Sequence, residues 1–389
     1  MKISDIVKLK IDSSLAYSSN VSEMNNTGAI LFIHKLTGDE VGTTNTDSNW
    51  LTTTGLGSGY FGKIEMDRAI SSYLTNGGIA LVAKRIYFDA LATDGEMIDE
   101  IEKAVYGGSG ITETVHIGLP TDVKNIQLVW ETQPSFGLGG LASAFIKTSA
   151  PETSKLLFVT STSAPTGLSL TPNVFYHYID GAQINYFESI AAMAYLSKIN
   201  YETDEIKDYE YTIWGNGDSN VTLLDSIDSE TIEQGGKVNF FSKTAGLNVL
   251  IGGVMTNSER LISYYFGLIL SDRISQILTR LTLEKLKFNQ STYAYIYNVI
   301  TIELDKFASN GLLDTEYVAT ETKLIFRDNV RYKLLENGEN LIYGYSVSTL
   351  PPTQQDLQER NYTGVYILYA IANQIRTLEI QAIVLGGLQ

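Results

Sequence analysis

Strand-like and helix-like segments alternate along residues 23–235, and this alternation restricts the possible folds more than any other feature of the sequence. Residues 27–36 and 79–88 are apolar runs rich in Ile, Leu and Phe, which is typical of buried strands. Residues 63–78 and 95–107 carry apolar side chains every three or four positions, which is typical of amphipathic helices. A chain that alternates in this way builds a sheet covered by helices. We therefore expect a mixed α/β (α+β) fold.

From about residue 237 the alternation gives way to two long helices followed by strands. The apolar periodicity predicts one helix from Ser258 to about Phe288 and a second from Ser291 to Ser309, where an Asn-Gly pair is a typical stop signal. Strand-like segments, beginning with residues 316–321, then occupy most of the sequence up to residue 371. We therefore expect a second domain, with two long helices and a small sheet.

Both ends of the chain have the alternating pattern of amphipathic strands. The apolar positions that share a face are Val7, Leu9 and Ile11 near the start and Leu378, Ile380, Ala382 and Val384 near the end. Unpaired strand edges promote aggregation, so such strands are normally paired. Each could pair within its own sheet, or it could complete a sheet in a neighbouring copy by β-augmentation. The pattern alone leaves both interpretations open.

The chain is acidic, and its charge is unevenly distributed. The formal net charge is −16, from 28 Lys and Arg residues against 44 Asp and Glu residues. Residues 1–249 hold 16 basic and 30 acidic residues, whereas residues 250–389 hold 12 and 14. We expect no nucleic-acid partner, because a strongly acidic protein repels phosphate. The asymmetry suits a protein with one solvated side and one side that faces a partner.

Composition also excludes several kinds of site. The sequence has no cysteine, which rules out a disulfide framework, a thiolate zinc site and a cysteine nucleophile. The longest apolar runs are too short to span a bilayer, and the first residues lack the apolar segment of a secretory signal. We therefore expect a protein made in the cytoplasm, without direct insertion into a membrane.

Candidate motifs for catalysis or cofactor binding are weak. Residues 57–62 read GSGYFG, but a dinucleotide site needs a buried strand directly before such a loop, and the preceding residues are loop-like. None of His34, His116 and His177 has a second ligand at metal-site spacing, so we interpret them as ordinary core or surface residues. We predict no catalytic, cofactor-binding or metal-binding residue and no enzyme. An α/β enzyme with a pocket in residues 23–235 is the alternative.

Three basic residues recur at seven-residue intervals along the first long helix: Arg273, Arg280 and Lys287. A straight helix drifts by only about 20° per heptad, so the three would lie on nearly one face. This basic strip is either a solvated edge or a contact surface for an acidic partner.

The C-terminal third contains a distinctive series of segments: NVLIGGVMTNSERLISYYFGLILSDRISQIL, then a second helix that closes with ELDKFASNGLL, then strands, and finally IRTLEIQAIVL. This series resembles the tail sheath proteins of contractile phages and related contractile injection systems. It covers about 150 residues from near Gly236 to the end. The tryptophan that is common early in the family's long helix is replaced by Tyr264 and Tyr265.

The resemblance implies an architecture and a set of partners. Subunits would form hexameric rings stacked helically around an inner tail tube protein, and the ends of this sleeve would meet baseplate and tail terminator proteins. The implied parts are an N-terminal β-arm (1–22), an acidic outer α/β region (23–235), an inner sheath domain (236–372) and a C-terminal β-arm (373–389). The arms would reach into adjacent subunits, and Arg273, Arg280 and Lys287 would be candidates to face the tube.

The implied function is that of a virion structural protein. The sleeve would contract and drive the tube through a cell envelope, with no cofactor required. The implied location is the tail of a virion or of a phage-like particle assembled in the host cytoplasm. A non-contractile tail tube or baseplate protein is the second alternative.

Overall fold

The computed structural model divides the chain into two units that are described separately. The described residues of the first, here called the α/β unit, lie within Ser13–Ile199 and Asp208–Leu270, and those of the C-terminal unit lie within Ser271–Gln389. The described residues are 27–36, 50–52, 64–106, 123–131, 155–161, 174–179, 187–199, 223–224, 238–244, 246–256, 260–283, 286–359 and 362–370. The four-part division predicted from the sequence stays a prediction.

A six-stranded sheet forms the centre of the α/β unit, with strand order β2-β3-β1-β4-β5-β6. All neighbours pair in parallel except β2, which runs antiparallel to β3. The strands are β1 (Thr27–Lys35), β2 (Leu51–Thr52), β3 (Ala80–Phe88), β4 (Asn125–Glu131), β5 (Leu156–Ser161) and β6 (Val174–Tyr178). The helices described with them are α1 (Ile64–Thr75), α2 (Asp94–Tyr106) and α3 (Ile190–Lys198). The mixed fold class expected from the sequence is confirmed.

The sheet is buried on both faces, as a parallel sheet requires. Every position of β1 except its last is buried. Met97 and Ile101 of α2 share a core cluster with Leu31 on one side, whereas α3 packs against β1 and β4. Helix α2 begins with a capping box, in which Glu96 accepts from the Thr93 amide at 2.8 Å and its own amide donates to Thr93 Oγ1 at 3.3 Å. The hydrogen bonds that the Glu96 carboxylate accepts from the Thr93 amide and, at 2.9 Å, from Thr93 Oγ1 lower the pKa of this carboxyl.

Tyr73 links α1 to two neighbouring strands. Its hydroxyl accepts from the Gly28 amide at 3.2 Å and donates to the Ala80 carbonyl at 2.9 Å. A Cβ at Gly28 would lie 2.7 Å from that hydroxyl, and one at Gly78 would lie 2.2 Å from the ring, so only glycine leaves room for it. Burial raises the pKa of Tyr73 to about 12.

A second, three-stranded sheet in this unit joins the first through Asn239. It consists of β7 (Leu223–Leu224), β8 (Phe240–Thr244) and β9 (Leu247–Ile251). The backbone of Asn239 bonds to Tyr176 and Tyr178 of β6, and its side chain bonds to both the amide and the carbonyl of Val254. Gly252, with φ of +110°, lies beside it, where a Cβ would be 2.7 Å from Asn239 Oδ1. Gly252 therefore makes room for this junction.

The described part of the C-terminal unit contains three helices and two two-stranded antiparallel sheets. The helices are α4 (Leu261–Leu283), whose first ten residues belong to the α/β unit, α5 (Gln290–Ser309) and α6 (Gln354–Glu359). The strands are β10 (Lys323–Arg327), β11 (Val330–Leu335), β12 (Tyr345–Thr349) and β13 (Val365–Tyr369). Within the described residues, no helix is both long enough and apolar enough to cross a membrane.

Three sequence-based expectations for this unit need correction. Helix α4 ends at Leu283 and not near Phe288, so Lys287 follows the helix instead of continuing its face. Residues 316–321 are not a strand, and only an isolated bridge pairs Val318 with Asn340. Helix α6 was not expected. The second long helix is confirmed, and it ends where Gly311 adopts a φ of +72°.

Candidate assembly surfaces

The β12–β13 sheet is a candidate surface for strand addition, and both of these strands come from the C-terminal unit. The two strands pair antiparallel, from Tyr345 opposite Tyr369 to Thr349 opposite Val365. Within the described part of the chain this sheet has two strands. A two-stranded sheet is only marginally stable in water, and a third strand or a packed helix is needed to stabilise it. Its outer edges are therefore candidate sites for strand addition.

Helix α5 supplies part of that support. It packs against β12, and the Tyr345 hydroxyl donates to Asp305 Oδ1 at 2.5 Å. Burial raises the pKa of Tyr345, and the hydrogen bond to Asp305 raises it further. The sheet is thus held to the helix by both packing and a polar contact.

The predicted basic strip is not one uniform surface. Arg273 Nε donates to Glu303 Oε1 of α5 at 2.7 Å, and Lys306 Nζ reaches the other carboxylate oxygen at 3.1 Å. The Glu303 side chain is almost fully buried, so this pairing joins α4 to α5. Arg280 and Lys287 are exposed. The predicted contact of the three residues with a tube stays a prediction.

The β10–β11 hairpin has two chemically different faces. Asp328 and Asn329 both adopt positive φ, as the tight hairpin turn between the strands requires. Residues opposite each other share a face, so Phe326 and Arg331 lie together on one face and Arg327 lies on the other. Phe326 is 75% exposed, whereas Arg327 is 7% exposed.

The inner face of the hairpin is fixed by a buried ion pair. The Arg327 guanidinium contacts the Asp356 carboxylate of α6, and it also donates to the Pro351 carbonyl at 3.2 Å and to Thr363 Oγ1 at 3.1 Å. Asp356 in turn accepts from the Thr353 amide at 2.9 Å and from Thr363 Oγ1 at 2.8 Å. The polar atoms of this pair are therefore extensively hydrogen-bonded, which a buried ion pair requires.

A buried polar cluster lies within the α/β unit. It joins strands β4, β5 and β6 to the start of α3, and its members are Gln127, Thr160, His177, Glu188 and Ser189. Ser189 Oγ donates to Gln127 Oε1 at 2.6 Å and lies 2.8 Å from Thr160 Oγ1. His177 Nε2 lies 3.3 Å from Glu188 Oε2.

This cluster combines a serine, a histidine and a carboxylate, but not in a catalytic arrangement. The Ser189 hydroxyl bonds to Gln127 and Thr160, and all five residues are at most 1% exposed. Within the described residues, His177 Nδ1 has no hydrogen-bond partner. Sequence reasoning missed the pairing of His177 with Glu188, because eleven residues separate them and that spacing matches no metal or catalytic motif.

Several sequence-based candidates can now be placed. His34 is a buried strand residue, as expected, whereas His116 and residues 57–62 lie outside the described residues. The described ranges contain no group of three or more His, Asp or Glu side chains that could hold a metal ion. The proposed arm contacts also lie outside the described residues; they are Val7, Leu9, Ile11, Leu378, Ile380, Ala382 and Val384.

Comparison with known proteins identifies the fold. No family model and no curated protein matches the chain by sequence. Among solved structures, a chain of the PVC sheath complex of an extracellular contractile injection system, in the contracted state, matches with a TM-score of 0.54 and 12% identity, over 97% of this chain and 96% of that chain. A chain of the anti-feeding prophage (AFP) baseplate in the contracted state matches with a TM-score of 0.57 and 11% identity, over 97% of both chains.

A crystal structure of a sheath tail protein from Desulfitobacterium hafniense matches with a TM-score of 0.43 and 11% identity, over 80% of this chain and 92% of that chain. The first two matches extend over nearly the whole of each chain. The chain therefore has the fold of contractile injection system proteins, and the resemblance noted in its C-terminal third is confirmed at the level of the fold.

Proposed function

We propose that this chain is a structural subunit of a contractile sheath. Copies polymerise as a helical sleeve around an inner tube, and contraction of the sleeve drives the tube through a cell envelope. The observation that carries this proposal is the shared fold over 97% of the chain, at TM-scores of 0.54 and 0.57. The function is mechanical, so the proposal assigns the chain no enzymatic activity and no cofactor.

The β12–β13 sheet is the proposed acceptor for the arms of neighbouring subunits. Its two strands have edges at which a third strand can add. The proposed donors are the two terminal arms, and the apolar residues proposed to face inward are Val7, Leu9, Ile11, Leu378, Ile380, Ala382 and Val384. Each donated strand adds to a two-stranded sheet and supplements the support that α5 provides.

The interaction energy expected between an arm and its acceptor sheet suits an assembly whose subunits move. About four to six backbone hydrogen bonds per arm contribute roughly 1 kcal/mol each, and burial of each large apolar side chain adds about 1.5–3 kcal/mol before ordering costs. Strand pairing depends on local backbone contacts and not on the orientation of the subunit bodies. The arms can therefore keep subunits connected while the bodies rotate.

The proposed partners are further copies of this chain, the inner tube protein, and the baseplate and terminator proteins at the two ends. Arg273, Arg280 and Lys287 are the proposed tube-facing residues. The exposure of Arg280 and Lys287 supports that role better than the position of Arg273, which pairs with Glu303. Exposed ion pairs contribute about 0–1 kcal/mol each, so a tube contact of this kind is releasable. The proposed location is the tail of a virion or of a phage-like particle assembled in the host cytoplasm.

Substitutions on the two faces of the C-terminal arm test the proposal. Leu378→Asp with Ile380→Asp should prevent polymerisation, because charges would replace the side chains proposed to be buried. Thr377→Asp with Gln381→Asp is the matched control, since it adds the same charge to the other face of the predicted strand. Polymer is measured by sedimentation, and fold is measured by circular dichroism.

Loss of polymer only in the first variant, with native circular dichroism in both, is the expected result. Loss of circular dichroism in the first variant would show that the strand belongs to the subunit's own core. Equal polymerisation of both variants would contradict the proposed role of the arm.

A further inference from the structure

We propose that the outer face of the β10–β11 hairpin binds the acidic α/β unit of a second copy of this chain. The outer face is defined by Leu324, Phe326, Arg331 and Lys333, which the strand register places together. The proposal deepens the proposed function, on which it rests, by assigning a second contact between subunits that does not involve the terminal arms.

The composition of the outer face is that of a protein-binding surface. Phe326 is 75% exposed, which is unusual for a large aromatic side chain. Arg331 lies directly across the strand pair from it and is exposed, with no ion-pair partner within the described residues. Lys333 contacts Glu336 in an exposed pair, which competes only weakly with a partner's carboxylate. Aromatic residues and arginine are the types most enriched at interface centres.

The hairpin presents this face rigidly. Arg327 on the opposite face is fixed by Asp356, Pro351 and Thr363. A surface that is already ordered loses little conformational entropy when it binds. The outer face is therefore preorganised for contact.

Charge complementarity identifies a second copy as the partner. Residues 1–249 hold 30 acidic against 16 basic residues, and helix α2 carries part of that excess. The acidic residues of α2 are Asp94, Glu96, Asp99, Glu100 and Glu102, and its one basic residue, Lys103, is paired with Glu100 at 2.8 Å. Leu91, just before α2, is 89% exposed. The α2 region thus offers carboxylates for Arg331 and Lys333 and an apolar side chain for Phe326.

The proposed contact is heterologous, because it joins two different surfaces. A heterologous contact whose rotation does not close a ring produces an open helical assembly. This geometry agrees with the proposed sleeve, in which each copy would offer its hairpin to one neighbour and its α2 region to another.

A charge-exchange experiment tests this contact. One variant carries Arg331→Glu and Lys333→Glu, and the other carries Asp99→Lys and Glu100→Lys. Each alone should associate at least about tenfold more weakly, because like charges would oppose across the contact. An equimolar mixture should regain association, since each altered surface then meets a complementary one on the other chain. A variant with Lys198→Glu and Lys243→Glu, both exposed residues of the α/β unit, carries the same charge change as the hairpin variant and should associate normally.

A second pair of variants tests the apolar part of the contact. Phe326→Ala should weaken association about tenfold, whereas Ile342→Ala, which truncates a side chain that is 69% exposed in the same unit, should not. Association constants are measured by sedimentation velocity, and circular dichroism verifies the fold. Recovery in the mixture would support an interchain contact. Unchanged association of the single-surface variants, or no recovery on mixing, would overturn it.

The outcomes separate this inference from the proposed function. If the wild type forms sleeves and the hairpin variants form them equally well, the hairpin contact is wrong while the sheath function stands. If the wild type associates through the hairpin but forms no sleeve, the contact stands while the sheath function is wrong. A wild type that does not associate at all would contradict both.

Discussion

Replacing Asp356 by Asn should destabilise the C-terminal unit by about 3–5 kcal/mol, because it leaves a buried guanidinium without its counter-charge. The Asp356 and Arg327 side chains are only 4% and 6% exposed. Asparagine preserves the size of the side chain and one acceptor oxygen, so the change isolates the lost charge. The free energy of unfolding should fall because water cannot replace the carboxylate at this depth.

The exposed pair of Lys333 and Glu336 is the matched control in the same unit. Its side chains are 52% and 60% exposed, so Glu336→Gln should cost no more than about 1 kcal/mol. The double variant Arg327→Met with Asp356→Leu should be markedly more stable than Asp356→Asn. Removing both charges leaves neither of them buried and unpaired.

Hydrogen exchange measured on peptides from residues 323–335 and 354–359 is the appropriate assay, since a chain with two units need not unfold in a single step. Asp356→Asn should accelerate exchange in both peptides at low denaturant. If Asp356→Asn and Glu336→Gln accelerated exchange equally, burial of the Arg327–Asp356 pair would not be the reason that this pair stabilises the C-terminal unit. The inference that the pair holds the hairpin rigidly would then be wrong.

Three further outcomes follow from other contacts. Gly252→Ala should lower the thermal midpoint, at a cost of about 1–3 kcal/mol, because its φ of +110° is strained for alanine and its Cβ would clash. Burial favours the neutral phenol of Tyr73, so its contribution to the free energy of unfolding should be fully present below a pH of about 10 and be lost as the pH rises through about 12. Tyr73→Phe should abolish this part of the loss of stability at alkaline pH, measured as the free energy of unfolding against pH. Arg280→Glu with Lys287→Glu should weaken binding to purified tubes without changing the unfolding curve, and co-sedimentation at two salt concentrations would reveal whether the contact is electrostatic.

The spacing of apolar residues along the sequence predicts most of the described helices and strands. Buried parallel strands are predominantly apolar, so β1 and β3 are recognisable without any tertiary information. The end of α5 was equally clear, because the Asn-Gly pair supplies the left-handed residue that stops a helix. Periodicity failed at residues 316–321, where the local pattern favoured a strand but tertiary contacts left only one bridge.

The side-chain contacts within each candidate surface could not be predicted from the sequence. Arg273 and Glu303 are thirty residues apart, and no local pattern indicates that they pair. The spacing of the three basic residues therefore predicted a uniform strip, although one of them is bound to α5 and another lies beyond α4. Both faces of the β10–β11 hairpin mix apolar and basic residues, so the sequence does not indicate which face is exposed. That depends on the pairing of Arg327 with Asp356.

Electron cryo-microscopy of the purified, concentrated protein tests the central claim most directly. The account predicts hollow, ring-striated helical sleeves, in which density for at least one strand from a neighbouring subunit extends the β12–β13 sheet. Monodisperse particles, or polymers in which both terminal strands pair only within their own subunit, would contradict it.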